Sequence, residues 1–452
     1  MDKTKELETR KISELLWIYA VPAIISQVIS SIYNIADRIF IGQGVSALAI
    51  AGLGITMPIM NIIHAFGSLV GAGSAARMSI VLGQKDTRWA EKILGNSMLL
   101  TFFLGALFLS GGYIFMDRIL SLFGATEGTI TYAREYLLIV LPGMFLTTVT
   151  YNLTGLIRAS GYPRKSMYIL VSGAILNIIL DAIFILVFRW GIAGAAWATT
   201  ISMAVTAVAS VAHFIHPGSF IRFRSHSWTP KLYIFKNIML IGMSPFLMNV
   251  AASAVVAFEN AQLIRYGGDL AVATIGVVNT FVSLMIMVII GICQGMQPIA
   301  GYNYGSGHPD RLREVFTLVM KINVFIGFIA MAIGLSIPGL IGRLFTSDVE
   351  LISMVKPCMR WLTVMMPLIC MTITNSQFFM AVDKPWISIV TSLSRQVIFL
   401  LPMIYIVPAI FTHFGGDGLT GLWVSNTISD VTGAVLAVSL LLTQLRIFRE
   451  AK

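Results

Sequence analysis

The twelve residues GIAGAAWATTIS at 191–202 return as GLTGLWVSNTIS at 418–429, 227 positions later. Self-similarity at long spacing marks a duplicated architecture, and here it extends outward from the quoted pair. Pro22 in AVPAII matches Pro245 in MSPFLM at a shift of 223. AIAGLG (49–54) matches AVATIG (271–276), Gly83 matches Gly305, LFG (122–124) matches LFT (344–346), and Ala159 and Pro163 match Ala381 and Pro385, all at 222. A shift this constant means that one half-length unit occurs twice.

Composition fixes the solvent of that unit. Of 452 residues, 57% are hydrophobic and 12% charged, against about a quarter charged in an ordinary soluble domain. Mean hydropathy is +0.84. Surface-to-volume scaling gives a soluble chain of this length no core large enough to hide that excess, so lipid is the expected solvent. A spanning helix needs about 20 mostly apolar residues. Twelve such stretches are expected, at 14–38, 48–78, 92–115, 133–157, 166–188, 192–214, 236–263, 270–299, 314–339, 352–380, 387–410 and 418–445. The alternating segments of a membrane barrel are absent from the sequence. Six spans per copy make both copies enter the membrane in the same orientation, a parallel repeat of the kind that rocks two bundles about a central site. The expected fold is an all-α membrane protein with twelve transmembrane helices in two six-helix bundles. The N-lobe is 1–214, a basic linker (IHPGSFIRFRSHSWTPKLY begins it) covers 215–235, and the C-lobe is 236–452.

Net charge is +10. The basic residues lie between apolar spans, which argues against nucleic-acid binding and for the positive-inside effect. The termini and the loops on their side hold 20 Lys and Arg, and the other side holds 7. Both termini are therefore expected in the cytoplasm. The N-terminus MDKTKELETRKISELL lacks the short apolar core of a cleaved signal peptide. Cys293, Cys358 and Cys370 have the spacing of neither a zinc cage nor a redox pair.

A charge in hydrocarbon costs at least about 2.5–3.5 kcal/mol, so ionisable residues inside spans are candidate functional groups: Asp37, His64, Arg77, Asp181, Glu259, Lys321, Arg360 and Arg395. Asp181 is the one charge in SMYILVSGAILNIILDAIFILVF, with Asn177 one turn earlier on the same face. It lies roughly 22 Å from the cytoplasmic end at 1.5 Å per residue. Thr199 and Thr200 enter from the other side to a similar depth, and Asp37 ends the first span with Tyr33 and Asn34 within a turn. Two carboxylates with neutral oxygens in the outer half of the first bundle form a candidate cation or proton site. The competing reading has Asp37 capping a loop in water and Asp181 hydrogen-bonding buried helices. Glu259 sits near the repeat position of Asp37, where an interfacial carboxylate beside Arg265 is the alternative. A lone His64 is a proton relay or a buried hydrogen-bonder. Lys321, Arg360 and Arg395 line the second bundle or snorkel to an interface. Met57, Met60, Phe281, Met285, Met287 and Met296, on the second and eighth spans, are expected to face each other across an adaptable apolar substrate cavity.

At VPAIISQVISSIYNIADRIFIG, TGLIRASGYPRKS and LNIILDAIFI the chain resembles the multidrug and toxic compound extrusion (MATE) family, with YNIADRIFIG most similar to its MepA-like bacterial branch. The resemblance covers nearly the whole chain. It implies cation-coupled antiport, H⁺ or Na⁺, exporting amphipathic and often cationic organic compounds by alternating access from a bacterial inner membrane, with a monomer as the working unit. It implies no enzymatic activity, no cofactor, and no metal beyond Na⁺ at Asp37 and Asp181. In the DinF-like branch a first-lobe cation or proton site maps onto Asp37, Asn177, Asp181 and Thr199, with Tyr33 and Tyr136 nearby. A fourth-helix Asn of that pattern is Thr154 here, a departure that keeps an oxygen. The second-lobe acids of the NorM-like branch have no counterpart, since Ser253 stands where the seventh-helix Glu is sought and 352–380 holds no acid. The carboxylate pair is therefore expected in the first copy only. A flippase for lipid-linked precursors is the alternative, and it calls for a cleft lined by Arg and Lys.

Overall fold

The computed structural model describes residues 5–45, 47–444 and 448. Lys3, Arg446, Arg449 and Lys452, counted above for orientation, lie outside the described residues, as do the side chains of Asn34 and Arg38. Six long helices form the first copy: α1 (Ile12–Gly44), α2 (Ala47–Gly83), α3 (Thr87–Ile114), α4 (Ile130–Ala159), α5 (Pro163–Val187) and α6 (Gly191–Ile215). The second copy opens on a helical run, Leu232–Gly305, 74 residues long. Gly268 interrupts it at φ 63°, ψ −162°, a region essentially closed to residues with a Cβ. The chain reverses there, giving α7 (232–267) and α8 (269–305). Then come α9 (Pro309–Ser336), α10, α11 (Pro385–His413) and α12 (Gly418–Thr443). The α10 span is Val349–Thr363 and Met366–Ala381, bent by 47° at the break. Pro367 has no N–H to return to the end of the first segment, which is the physical reason for the break. Among the described residues the spans number twelve, as expected. Most overrun their apolar cores by a turn or more, because helix ends carry their polar residues into the interface.

The duplication is visible in the backbone as well as in residue identities. Positive φ occurs at Lys85 (62°) and Gly307 (73°), and at Gly161 (96°) and Asp383 (57°), each pair 222 apart. Short helices Met116–Leu122 and Pro338–Phe345 occupy matching loops. Both α5 and α11 contain a π-helical stretch, Ala182–Val187 and Ser394–Leu400, a departure that is frequent at functional sites. Four residues after each repeated proline, a side chain donates back to the proline carbonyl: Ser26 Oγ to Pro22 O at 2.8 Å and Asn249 Nδ2 to Pro245 O at 2.8 Å.

In lipid, helices associate through close packing of small residues rather than through water exclusion. The copies meet on glycines: a Cβ at Gly73 would strike the Ile238 carbonyl, at Gly242 that of Leu69, at Gly83 that of Tyr302 and at Gly305 that of Ile80. Gly291 and Gly295 of α8 lie against Ile24 and Ala20 of α1, somewhat less tightly but still too close for an unshifted Cβ. All these contacts fall in the half of the helices nearer the chain termini. In the other half, Gly54 and Gly276 have open space where a Cβ would be. The lobes are thus sealed at the terminus side, and no such close packing holds Gly54 and Gly276 at the far side. An ion pair, Arg77 to Asp383 at 3.0 Å, crosses the seam at its sealed end. The segment after α6 docks on α3: Asn96 accepts from the Lys231 N–H at 2.7 Å and donates to Thr229 O at 3.0 Å, and Glu91 pairs with Arg224 at 3.2 Å.

Candidate ion-coupling site and central cavity

Asp181 is wholly buried, and neither of its carboxyl oxygens has a hydrogen-bond partner. The α-helix of α5 ends at this residue and the π-helical stretch begins at the next. Asp37 of α1 is close enough to Asp181 to interact electrostatically. Tyr136 of α4, 1% exposed, hydrogen-bonds Thr199 and feels Asp37, Tyr33 and Asp181. Asn177, a turn before Asp181, donates from Nδ2 to Thr199 Oγ1 at 3.3 Å, leaving its own Oδ1 buried and unpartnered. The structure therefore brings Tyr33, Asp37, Tyr136, Asn177, Asp181 and Thr199 together from α1, α4, α5 and α6. A buried acceptor left without a donor costs about 1–3 kcal/mol. Three such oxygens beside a second carboxylate form a site short of positive charge, and a proton or a small hard cation with oxygen ligands fits that shortage. Among the described residues no group of three or more His, Cys, Asp or Glu could hold a metal.

Thr154 is not part of this group. It lies 18 residues along α4 from Tyr136, roughly 27 Å at 1.5 Å per residue, and its hydroxyl donates to the Thr150 carbonyl at 2.7 Å. It lines instead a cavity of about 390 Å³ between the lobes. Ser26, Gln27 and Tyr33 of α1, His64 and Ser68 of α2, Tyr151 and Arg158 of α4, and Asn177 and Thr199 also face it. From the second copy come Pro245, Met248, Asn249, Gln294, Gln297, Gln377 and Met380.

The wall carries many amides and hydroxyls, and its methionines, Met203, Met248 and Met380, are not the ones expected there. None of Met57, Met60, Phe281, Met285, Met287 and Met296 lines it. Met296 is fully buried, Phe281 packs in the second-copy core, and the Met287 sulfur accepts from Ser31 at 2.9 Å. Residue type reports how adaptable a side chain is, not which way its helix turns it.

The second copy also departs from expectation. Glu259 accepts from Asn426 Nδ2 at 2.9 Å and lies within electrostatic reach of Arg395, which pairs with Asp430 at 3.1 Å. Glu259 and Asp430 are 7% and 3% exposed. A buried carboxylate pair thus exists in both copies, but only the second has an arginine between the acids. Arg265 is not the partner of Glu259: it lies over the Tyr266 ring, 5.5 Å from the centroid. Arg77 pairs across the seam, Lys321 joins Asp310, Arg313 and Glu314 around a surface groove near the chain start, and Arg360 is exposed. His64 sits edge-on to Tyr151, ring centroids 5.2 Å apart. Arg158 and the cavity amides went unmarked in the sequence. Their signal was Gln and Asn repeated along apolar spans, and for Arg158 a position in the TGLIRASGYPRKS motif.

The helical repeat, the interlobe cavity and the acidic site define a multi-pass membrane transporter built from two bundles. The MatE family model matches the chain twice, over residues 22–183 and 246–406, and the chain belongs to that family. Among curated relatives, the multidrug export protein MepA of Staphylococcus haemolyticus is 25% identical over 431 residues, covering 95% of this chain and 93% of its own. MepA of Staphylococcus aureus (strain MRSA252) is 25% identical over 421 residues, 93% of this chain and 91% of its own. Among solved structures, MATE in the bent conformation superposes with a TM-score of 0.91 at 24% identity, covering 99% of this chain and 98% of that one. A MOP superfamily transporter from Pyrococcus furiosus gives 0.90 at 24%, covering 98% of each. These two share the fold. The chain is a transporter of this family and not an enzyme.

Proposed function

We propose that this protein exports amphipathic organic compounds, drugs among them and many of them cationic, in exchange for H⁺ or Na⁺ by alternating access. On this reading the lobes are 1–214 and 236–452, joined by the linker 215–235. A monomer works in a bacterial inner membrane with both termini in the cytoplasm. The export reading is supported by the MepA relatives, which are multidrug export proteins. The coupling reading rests on one observation: the unpartnered acceptors of Asp181 and Asn177, buried beside Asp37.

The geometry suggests how ion and substrate exclude each other. Tyr33, Asn177 and Thr199 belong both to the acidic group and to the cavity wall. A cation at Asp37 and Asp181 draws Tyr33 and Asp37 of α1 toward α5 and reshapes the wall on which substrate rests. α1 can answer at Pro22, where the missing N–H leaves the Ile18 carbonyl without its helical donor and weakens the helix, and where the Ser26 hydroxyl donates to the proline carbonyl. With the seam closed on the terminus side, the form described here is the one that releases substrate outward and takes up the ion.

Asp181→Asn keeps the shape and removes the ionisable group. In proteoliposomes with imposed pH or Na⁺ gradients, this variant should lose ethidium efflux by at least tenfold while remaining monodisperse and thermally stable. Full efflux would sink the coupling assignment, and separate pH and Na⁺ gradients identify the ion.

A further inference from the structure

We infer that a surface groove between α1 and α9, outside the central cavity, binds the headgroup of a zwitterionic phospholipid with a primary amine, a phosphatidylethanolamine. The inference stands apart from the export reading and does not depend on it.

The groove has a volume of about 420 Å³ and lies between Ser13 of α1 and Asp310, Arg313, Glu314, Thr317 and Lys321 of α9. It therefore joins the two copies at the terminus side. Its α9 residues share one face at helical spacing, with Asp310 outermost and Lys321 deepest. Lys321 is 12 residues past Pro309, roughly 18 Å at 1.5 Å per residue. A lone ammonium that far into a span is costly. Its flexible stem leans back toward the helix start, where Thr317 and Arg313 lie one and two turns away. Among the described residues no carboxylate is within 4.0 Å of Lys321 or Arg313, and no cation is within 4.0 Å of Asp310 or Glu314. Two cations and two acids share one groove, and their charges sum to zero. A phosphate suits Lys321, Arg313 and the Thr317 hydroxyl, and a primary ammonium with three donors suits Asp310 and Glu314. A phospholipid carries its phosphate beside the glycerol and its amine at the outer end, which is the order of the groove.

The same face of the first copy has a partner. Arg313, Thr317 and Leu318 correspond, at the shift of 222, to Glu91, Gly95 and Asn96. The linker lies on all three: Glu91 pairs with Arg224 at 3.2 Å, a Cβ at Gly95 would strike the Ser227 carbonyl, and Asn96 holds the backbone at Thr229 and Lys231. In the second copy Arg313 and Thr317 are exposed, and Lys321 stands where the first copy has Leu99. Past Lys321 the exposed face of α9 turns apolar, with Phe325, Phe328 and Ile329 four, seven and eight residues on. Trp17, one turn after Ser13 on α1, is also exposed, as indoles at headgroup level are. A headgroup in the groove thus lays its acyl chains on an apolar track.

The test is native mass spectrometry of the full-length protein in detergent, titrated with phosphatidylethanolamine, phosphatidylcholine and phosphatidylglycerol of matched acyl chains. For the first lipid bound, wild type should favour the ethanolamine lipid about tenfold over each of the others, the size of one charge-assisted hydrogen bond. The choline lipid has no N–H for the acids, and the glycerol lipid sets an anion near them without an amine. Lys321→Leu should weaken all three lipids about tenfold, because each presents a phosphate. Asp310→Asn with Glu314→Gln should remove the preference over phosphatidylcholine and reverse the order of the ethanolamine and glycerol lipids. Equal wild-type affinities overturn the site with no variant needed, which covers a variant that fails to fold. An unchanged affinity in folded Lys321→Leu, or an ethanolamine preference that survives loss of both acids, overturns it too. Glycerophosphoethanolamine, the same headgroup without acyl chains, should bind at least about tenfold more weakly than the lipid, since it has no apolar area to bury. Equal binding would make the ligand a soluble phosphodiester and overturn the lipid assignment.

Discussion

Asp181 and Asp430 are both single carboxylates buried in spans, yet their surroundings differ in kind. Asp181 faces acceptors and another acid, while Asp430 faces Arg395, which also counters Glu259. Removing one partner of a buried pair leaves an uncompensated charge and costs about 3–5 kcal/mol. Arg395→Gln should therefore lower thermal stability markedly. The triple variant Arg395→Met, Asp430→Leu and Glu259→Gln, which removes both acids that the arginine counters, should recover most of the loss, because well-packed uncharged replacements of buried ionic groups are often neutral. Thermal unfolding in one detergent checks both, and a triple variant no better than Arg395→Gln would show that the group does more than satisfy itself. Asp181 was legible in the sequence because it is the one charge in a stretch of 23 residues. Asp430 was not, because SNTISDVTG reads as a polar helix end until Arg395 is seen opposite. Arg158 was counted as an interfacial cation, since a loop-proximal arginine and a cavity arginine have the same sequence.

At the scale of helices, spacing carried the reading well where chemistry constrains backbone. Pro22 with Pro245 and Gly83 with Gly305 kept the repeat spacing because a proline kink and a backbone contact too close for a Cβ leave few alternatives. Rotation of a helix about its own axis was not legible, and the methionine stripe failed for that reason: in lipid a helix can be apolar all round, so no polar face says which side looks inward. The seam between α2 and the α7–α8 pair is also made of elements rather than of side chains. Gly242 lies against the Leu69 carbonyl so closely that no Cβ fits. Gly242→Val should force the terminus-side seam open and shift the protein toward its other state. Spin labels on α2 and α7 at that end should report a longer distance in the variant. An unchanged distance would mean that the seam can slide rather than open.

The whole molecule is one unit used twice, and the copies have diverged without losing internal closure. In the first copy Asn152 of α4 donates to Thr101 of α3 at 3.1 Å; in the second Asn323 of α9 donates to Thr374 of α10 at 2.9 Å. Thr101 and Asn323 are repeat partners, as are Asn152 and Thr374, each pair 222 apart. The two residue types have changed places across the same helix pair, so each half makes its own amide-to-hydroxyl bond, although Asn323 Oδ1 is left without a donor. This exchange bears on the order of assembly. Chains fold as units from the N-terminus during synthesis, and a half that closes its own polar contacts need not wait for the other to leave the ribosome. Residues 1–235 and 236–452 made as separate polypeptides in one cell should insert, pair along the glycine seam and copurify. Degradation of the first fragment when it is made alone would mean that the seam, and not the half, is the unit that survives.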